Sequence, residues 1–167
     1  MIYSNFTGEQ MQLVPNAFFV TSGKASSPVS DLNAFDRALI SAGIGEQNLV
    51  AVSSIIPPGS RKIDIMELPM GAVTHCVLSQ MRGREDEVVS AGIAYVYRKD
   101  GIGGYVAEGH LHGSGSDLEK ELRKKMKDMS EIRGIEFGDI EFMIEEMRVP
   151  NGCYGCCISA LVFTEYM

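Results

Sequence analysis

The chain has 167 residues, 45% hydrophobic and 22% charged, the size and balance of one globular domain that needs no disulfide or metal staples. Its 22 acidic against 15 basic side chains give a net charge of −7, which argues against a phosphate-tracking nucleic-acid binder. No apolar run approaches the ~20 residues that span a bilayer, and Met1 to Gln10 lacks a basic stretch followed by an apolar one. The expected setting is therefore the cytoplasm, with no membrane and no nucleic-acid partner.

Asn16 to Gly23 reads as a strand closed by glycine, and Ser26 to Pro28 as a turn. From Ser30 to Ala42 the apolar residues Leu32, Phe35, Ala38, Leu39 and Ala42 recur at helical spacing, with Gly43 as the stop. Asn48 to Ile56 is an apolar, β-branched run ended by Pro57-Pro58-Gly59, which predicts a buried strand. Ala72–Met81, Val88–Arg98 and Tyr105–Leu111 follow as strands, with a turn at Lys99–Gly104. Ser116-Asp-Leu-Glu119 has the form of a capping box, opening a helix whose stripe is Leu118, Leu122, Met126, Met129 and Ile132 and whose stop is Gly134. Asp139–Val149 and Cys153–Thr164 are closing strands. The order of elements suggests one unit used twice, and sheets covered by two helices.

Two features could carry chemistry. Cys153, Cys156 and Cys157 with His110 and His112 raise zinc, but a single CxxC in an apolar strand lacks a partner pair at finger spacing. These cysteines and Cys76 read as reduced, buried thiols, and no metal is expected. His75, among apolar neighbours, reads as a core or interface residue. Arg82, Arg84 and the charged run Glu119–Lys127 read as solvated surface. The second feature is Ser53-Ser54, an adjacent serine pair in an apolar run before a double proline. The plain reading is two hydroxyls satisfied by the backbone at a strand end. The alternative is self-cleavage, in which a serine hydroxyl attacks the preceding carbonyl and the resulting ester eliminates to leave a pyruvoyl-headed chain. A serine hydrolase is disfavoured because the GxSxG elbow is missing.

Leu32-Asn-Ala-Phe-Asp36, Ala42-Gly-Ile-Gly45, Asn48-Leu49, Ser53-Ser-Ile-Ile-Pro-Pro58, Leu68-Pro-Met-Gly71 and Glu108-Gly109, in this order and spacing, resemble the pyruvoyl-dependent arginine decarboxylases. The resemblance covers about Phe19 to the C-terminus. It implies an α/β (α+β) fold: a four-layer αββα sandwich built from a duplicated strand-helix-strand unit, a single domain over 1–167. It implies self-cleavage between Ser53 and Ser54 into a β chain, 1–53, and an α chain, 54–167. The cofactor would be a covalent pyruvoyl group derived from Ser54, with no pyridoxal phosphate and no metal. Such a group offers a ketone to the substrate's α-amine and an electron sink for loss of CO₂.

The resemblance also assigns roles. Ser53 stays beside the site as the cleavage partner, Asn48 assists processing by polarising the Ser53 carbonyl, and Glu108 donates the proton. Asp36 binds the substrate guanidinium, Leu32, one helical turn before it, covers the methylenes, and Gly45 lets the backbone approach. The implied activity is decarboxylation of L-arginine to agmatine in polyamine biosynthesis, by a homotrimer of processed protomers with sites between neighbours. The same chemistry on another amino acid such as histidine, or an uncleaved, non-catalytic trimeric scaffold, are the alternatives.

Overall fold

The computed structural model describes residues 12–166. The Met1–Gln10 segment considered above and Met167 lie outside the described residues. The elements run β1 (Pro15–Ser27), α1 (Asp31–Ser41), β2 (Asn48–Ala51), β3 (Ile55–Ile56), β4 (Arg61–Lys62), β5 (Val73–Arg84), β6 (Val88–Tyr97), β7 (Gly104–His112), α2 (Gly115–Arg133), β8 (Glu141–Arg148) and β9 (Tyr154–Tyr166). The fold is α+β. A five-stranded sheet in the order β2-β5-β9-β1-β4 faces a four-stranded sheet in the order β3-β7-β6-β8. Helix α1 packs on β1, β9 and β5, and α2 on β6, β7 and β8. The layers are therefore helix, sheet, sheet, helix. The strands do not segregate by half of the chain: β9 lies between β5 and β1, and β3 joins the sheet of β6 to β8.

Burial on two faces explains the continuous apolar runs. In β1, Phe19 faces α1 while Phe18 and Val20 enter the layer between the sheets. In β9, Ile158, Ala160 and Val162 face α1, and Leu161 and Phe163 face inward. Helix α1 sits close because Ala34 and Ala38 are its buried residues and because Gly23 lies beneath it. A Cβ on Gly23 would stand 2.3 Å from the Ala38 carbonyl oxygen. Ser30 caps α1 by accepting from the Asn33 amide, and Gly43 takes φ +76° just past its end, as expected of a helix stop.

Four expectations need correction. Strand β1 runs through the predicted Ser26–Pro28 turn as far as Ser27, because β9 pairs with it that far. Helix α2 is capped by Ser114, not Ser116. The Ser114 hydroxyl accepts from the Asp117 amide, and the Gly115 amide donates to Glu146 Oε2 at 2.6 Å. Ile132 is exposed, so the buried stripe of α2 is Leu118, Leu122 and Met126. The run Asn48–Ile56 is not one buried strand. It pairs with the edge of the first sheet as β2, leaves it, and joins the second sheet as β3.

Candidate active site

That transfer between sheets sets up the site. The last bond to the first sheet is Val52 N–H to the Cys76 carbonyl, 3.0 Å, and the first bond of the second sheet is Val106 N–H to the Ser54 carbonyl, also 3.0 Å. The Ser53–Ser54 peptide bridges the two. The Ser53 carbonyl accepts from the Ile55 amide at 3.0 Å, a three-residue turn centred on Ser54. The scissile carbonyl of the sequence reading thus already carries an N–H donor, which draws electron density from its carbon.

The Ser54 hydroxyl donates to Glu108 Oε2 at 3.1 Å. Both line an open cleft of about 460 Å³ with Ser53, Lys125, Asp128, Met129 and Arg133 among its walls. Glu108 is exposed although its neighbours on β7 are apolar. It lies past the end of β3, which pairs with β7 only at Tyr105 and Gly104, so that edge of the strand is open. Lys125 Nζ donates to the Glu108 carbonyl at 3.1 Å and pairs with Glu121 at 2.8 Å.

The other sequence-predicted residues lie elsewhere. Leu32 and Asp36 are exposed on α1, which covers the first sheet, whereas the cleft is walled by α2. Neither they nor Gly45 line the cleft. Gly45 has a packing reason of its own, since a Cβ there would stand 2.7 Å from Ile40 Cγ1. The Asn48 side-chain amide donates to the Gly71 carbonyl at 2.9 Å. It holds the loop before β5, and the polarising contact on Ser53 comes from Ile55 instead.

Lys125, Asp128 and Arg133 are the cleft residues that sequence reasoning missed. Lys125 falls in the charged run that reads as solvated surface. The available signal was spacing: Lys125, Asp128 and Met129 fall on one helical face, and that face meets β7. Arg82 also differs from its reading as free surface. It is half-buried, pairs with Asp31 at 3.1 Å, and lies over the Phe35 ring, in the wall of a second cavity of about 530 Å³ with Glu87, His112 and Tyr154. His75 is half-buried, its Nδ1 2.7 Å from the Tyr166 hydroxyl. Cys76, Cys156 and Cys157 are buried free thiols and Cys153 is partly buried. Among the described residues, no three His, Cys, Asp or Glu side chains come together as metal ligands.

The family described as pyruvoyl-dependent arginine decarboxylase matches residues 17–167, from within β1 through β9. The chain belongs to this family. It is therefore a member of an enzyme family. Curated relatives carry the same description. One from Methanothermobacter thermautotrophicus is 36% identical over 148 residues, covering 87% of this chain and 95% of the relative. One from Methanocaldococcus jannaschii is 35% identical over 152 residues, covering 88% of each. One from Methanopyrus kandleri is 30% identical over 150 residues, covering 90% of this chain and 97% of the relative.

Proposed function

We propose that this chain is a self-processing enzyme that cleaves itself between Ser53 and Ser54 and then decarboxylates L-arginine to agmatine and CO₂, in polyamine biosynthesis in the cytoplasm. Family membership supports the activity. The observation that carries the processing is the Ser53–Ser54 bridge between the sheets, with a donor on the Ser53 carbonyl and a carboxylate on the Ser54 hydroxyl.

In the proposed cleavage, Ser54 Oγ attacks the Ser53 carbonyl carbon and the 53–54 C–N bond breaks. The hydroxyl proton leaves through Glu108 Oε2, and the freed Ser54 nitrogen ends as an amine. The Ile55 amide supports the oxyanion. Loss of the Ser54 α-proton then expels the Ser53 carboxylate by β-elimination. Water displaces ammonia from the enamine that remains, leaving a ketone. Asn48 assists by fixing β2 against the loop before β5, so that the chain departs at Val52.

Residue 54 fits such a group. Its carbonyl is held by Val106, and its side chain faces a cleft rather than packed atoms. A pyruvoyl group there would supply a ketone for the substrate's α-amine and an electron sink for loss of CO₂. Glu108 then holds a proton for the substrate α-carbon. Asp36 takes the guanidinium bidentately, Leu32 covers the methylenes, and Gly45 lets the backbone approach. Because Leu32 and Asp36 lie on α1, on the layer remote from the Ser54 cleft, and Gly45 does not line that cleft either, these three come from an adjacent copy, in keeping with a homotrimer. The duplicated strand-helix-strand unit remains a reading of element order alone.

The test is the mass of the denatured protein, followed by arginine turnover with histidine as the competing substrate. Fragments 1–53 and 54–167, the latter blocked at its terminus, together with agmatine production, are the expected result. An intact chain would favour the scaffold alternative, and histidine turnover would favour the other substrate. Among the described residues no helix is long and apolar enough to cross a membrane.

A further inference from the structure

Glu108 sits on an open strand edge, so the ladder that would fix its backbone is missing on one side. We infer that Ser79 is a positioning residue for Glu108, an inference that rests on the proton-donor role proposed above. Ser79 lies on β5 in the layer between the sheets and is 2% exposed. Its hydroxyl crosses that layer and donates to the Gly109 carbonyl at 2.5 Å. Gly109 directly follows Glu108. It is also pressed from the other side, since a Cβ there would stand 2.9 Å from Leu118 Cδ1 on α2. Lys125 holds the preceding carbonyl, that of Glu108 itself. Two consecutive carbonyls at the Glu108 position are thus tied by side chains from other elements. Lys125 also lines the cleft, so replacing it changes the charge there. Ser79 does not line the cleft and is the clean probe.

The fold supplies its own control. Ser159 on β9 is the cross-strand neighbour of Ser79 and is fully buried. Its hydroxyl crosses the same layer to the Ala91 carbonyl at 3.1 Å. That carbonyl belongs to β6, which is paired at this point with both β7 and β8. The two serines match in type, burial and kind of bond, and only Ser79 acts on the strand that carries Glu108.

The experiment compares Ser79→Ala, Ser159→Ala, Glu108→Gln and the double variant Ser79→Ala/Glu108→Gln in the full chain. Mass spectrometry gives the cleaved fraction, and kcat and KM for arginine are referred to that fraction. Both serine variants should lower the melting temperature by a similar few degrees. Ser79→Ala should lower kcat about tenfold, the effect of a sub-ångström misplacement, with KM within about twofold. Ser159→Ala should keep wild-type kcat. The double variant should be no slower than Glu108→Gln, because a displaced group that no longer donates a proton has nothing more to lose. Should Ser79→Ala fail to fold, Ser79→Cys, nearly isosteric and a weak donor, is read the same way. Wild-type kcat in the Ser79 variant, or the same fold-loss in both backgrounds, overturns the inference alone. Wild-type turnover by Glu108→Gln overturns the proton-donor reading and this inference with it.

Discussion

Replacing Ser54 by alanine removes one oxygen and with it both the proposed nucleophile and the bond to Glu108. The stability effect is small. The lost bond is a 3.1 Å hydroxyl–carboxylate contact whose acceptor is exposed, so water replaces the donor and the cost is about 1 kcal/mol or less. The backbone frame of the turn does not depend on the side chain. The Ile55 amide still meets the Ser53 carbonyl, and the Val106 amide still meets the carbonyl of residue 54. A loss of about 1 kcal/mol lowers the melting temperature of a domain this size by roughly 2–4 °C. The effect on processing is absolute, because alanine has no side-chain oxygen with which to attack the Ser53 carbonyl. The expected product is one folded chain of 18.2 kDa that gives a single band on a denaturing gel and turns over no arginine. Ser53→Ala, which keeps the attacked carbonyl and the Ile55 donor, should still cleave. Fragments 1–53 and 54–167 from Ser54→Ala would refute the assignment of the nucleophile.

Further outcomes follow from other parts of the molecule. Asp36→Asn keeps the side-chain shape and removes the charge meant for the guanidinium. A charge-assisted bond contributes about 1.5–3 kcal/mol, so kcat/KM for arginine should fall roughly ten- to hundredfold while mass spectrometry shows unimpaired cleavage. Unchanged kcat/KM would remove Asp36 from the site. Glu108→Gln should slow cleavage and, in the fraction that does cleave, slow turnover about 10²–10⁴-fold, with the α-chain terminus converting gradually from pyruvoyl to alanine. Peptide masses before and after arginine exposure measure that conversion. Burial pushes the Cys76 and Cys156 thiols from 9.0 up to about 11, and Cys157 up to about 12. The folded chain then holds these protons more tightly than the unfolded chain. Stability due to them should be constant below about pH 9 and fall as pH rises from 9 to 12. Urea melts across that range test this, and Cys76→Ala should flatten the slope.

Much of this architecture is visible in the sequence, because the strongest signals are local. The 3.6-residue stripe of Leu118, Leu122 and Met126 and the stops at Gly43 and Gly134 depend on near neighbours alone. The errors arise where a distant partner decides. Ser114 and Ser116 both stand three residues before an acidic side chain. Ser114 wins because Glu146, on β8, supplies an acceptor for the Gly115 amide at that position. The run Asn48–Ile56 reads as one strand because hydrophobicity does not record which sheet a residue joins. The same limit applies to the site. Ser54 and Glu108 meet at 3.1 Å across 54 residues, and only the family resemblance pairs them in advance. A helix pattern does not say which strand it will cover, so it does not point to Asp128 and Arg133 as cleft residues.

The pairing of β1 with β9, which runs from Pro15 opposite Tyr166 to Ser27 opposite Tyr154, joins the two prospective fragments through the middle of a sheet. Strand β1 and helix α1 belong to residues 1–53, and β9 to residues 54–167. A cut at the serine pair would therefore release nothing, and the native state would become two interwoven chains. Before the cut, β1 finds β9 within its own chain. Afterwards a melted protein must find its other half by collision, so its unfolding midpoint should rise with protein concentration, whereas that of an uncut chain should not. The protein would be assembled once, as a single chain, and each later loss of structure would be harder to reverse than the first folding was to achieve.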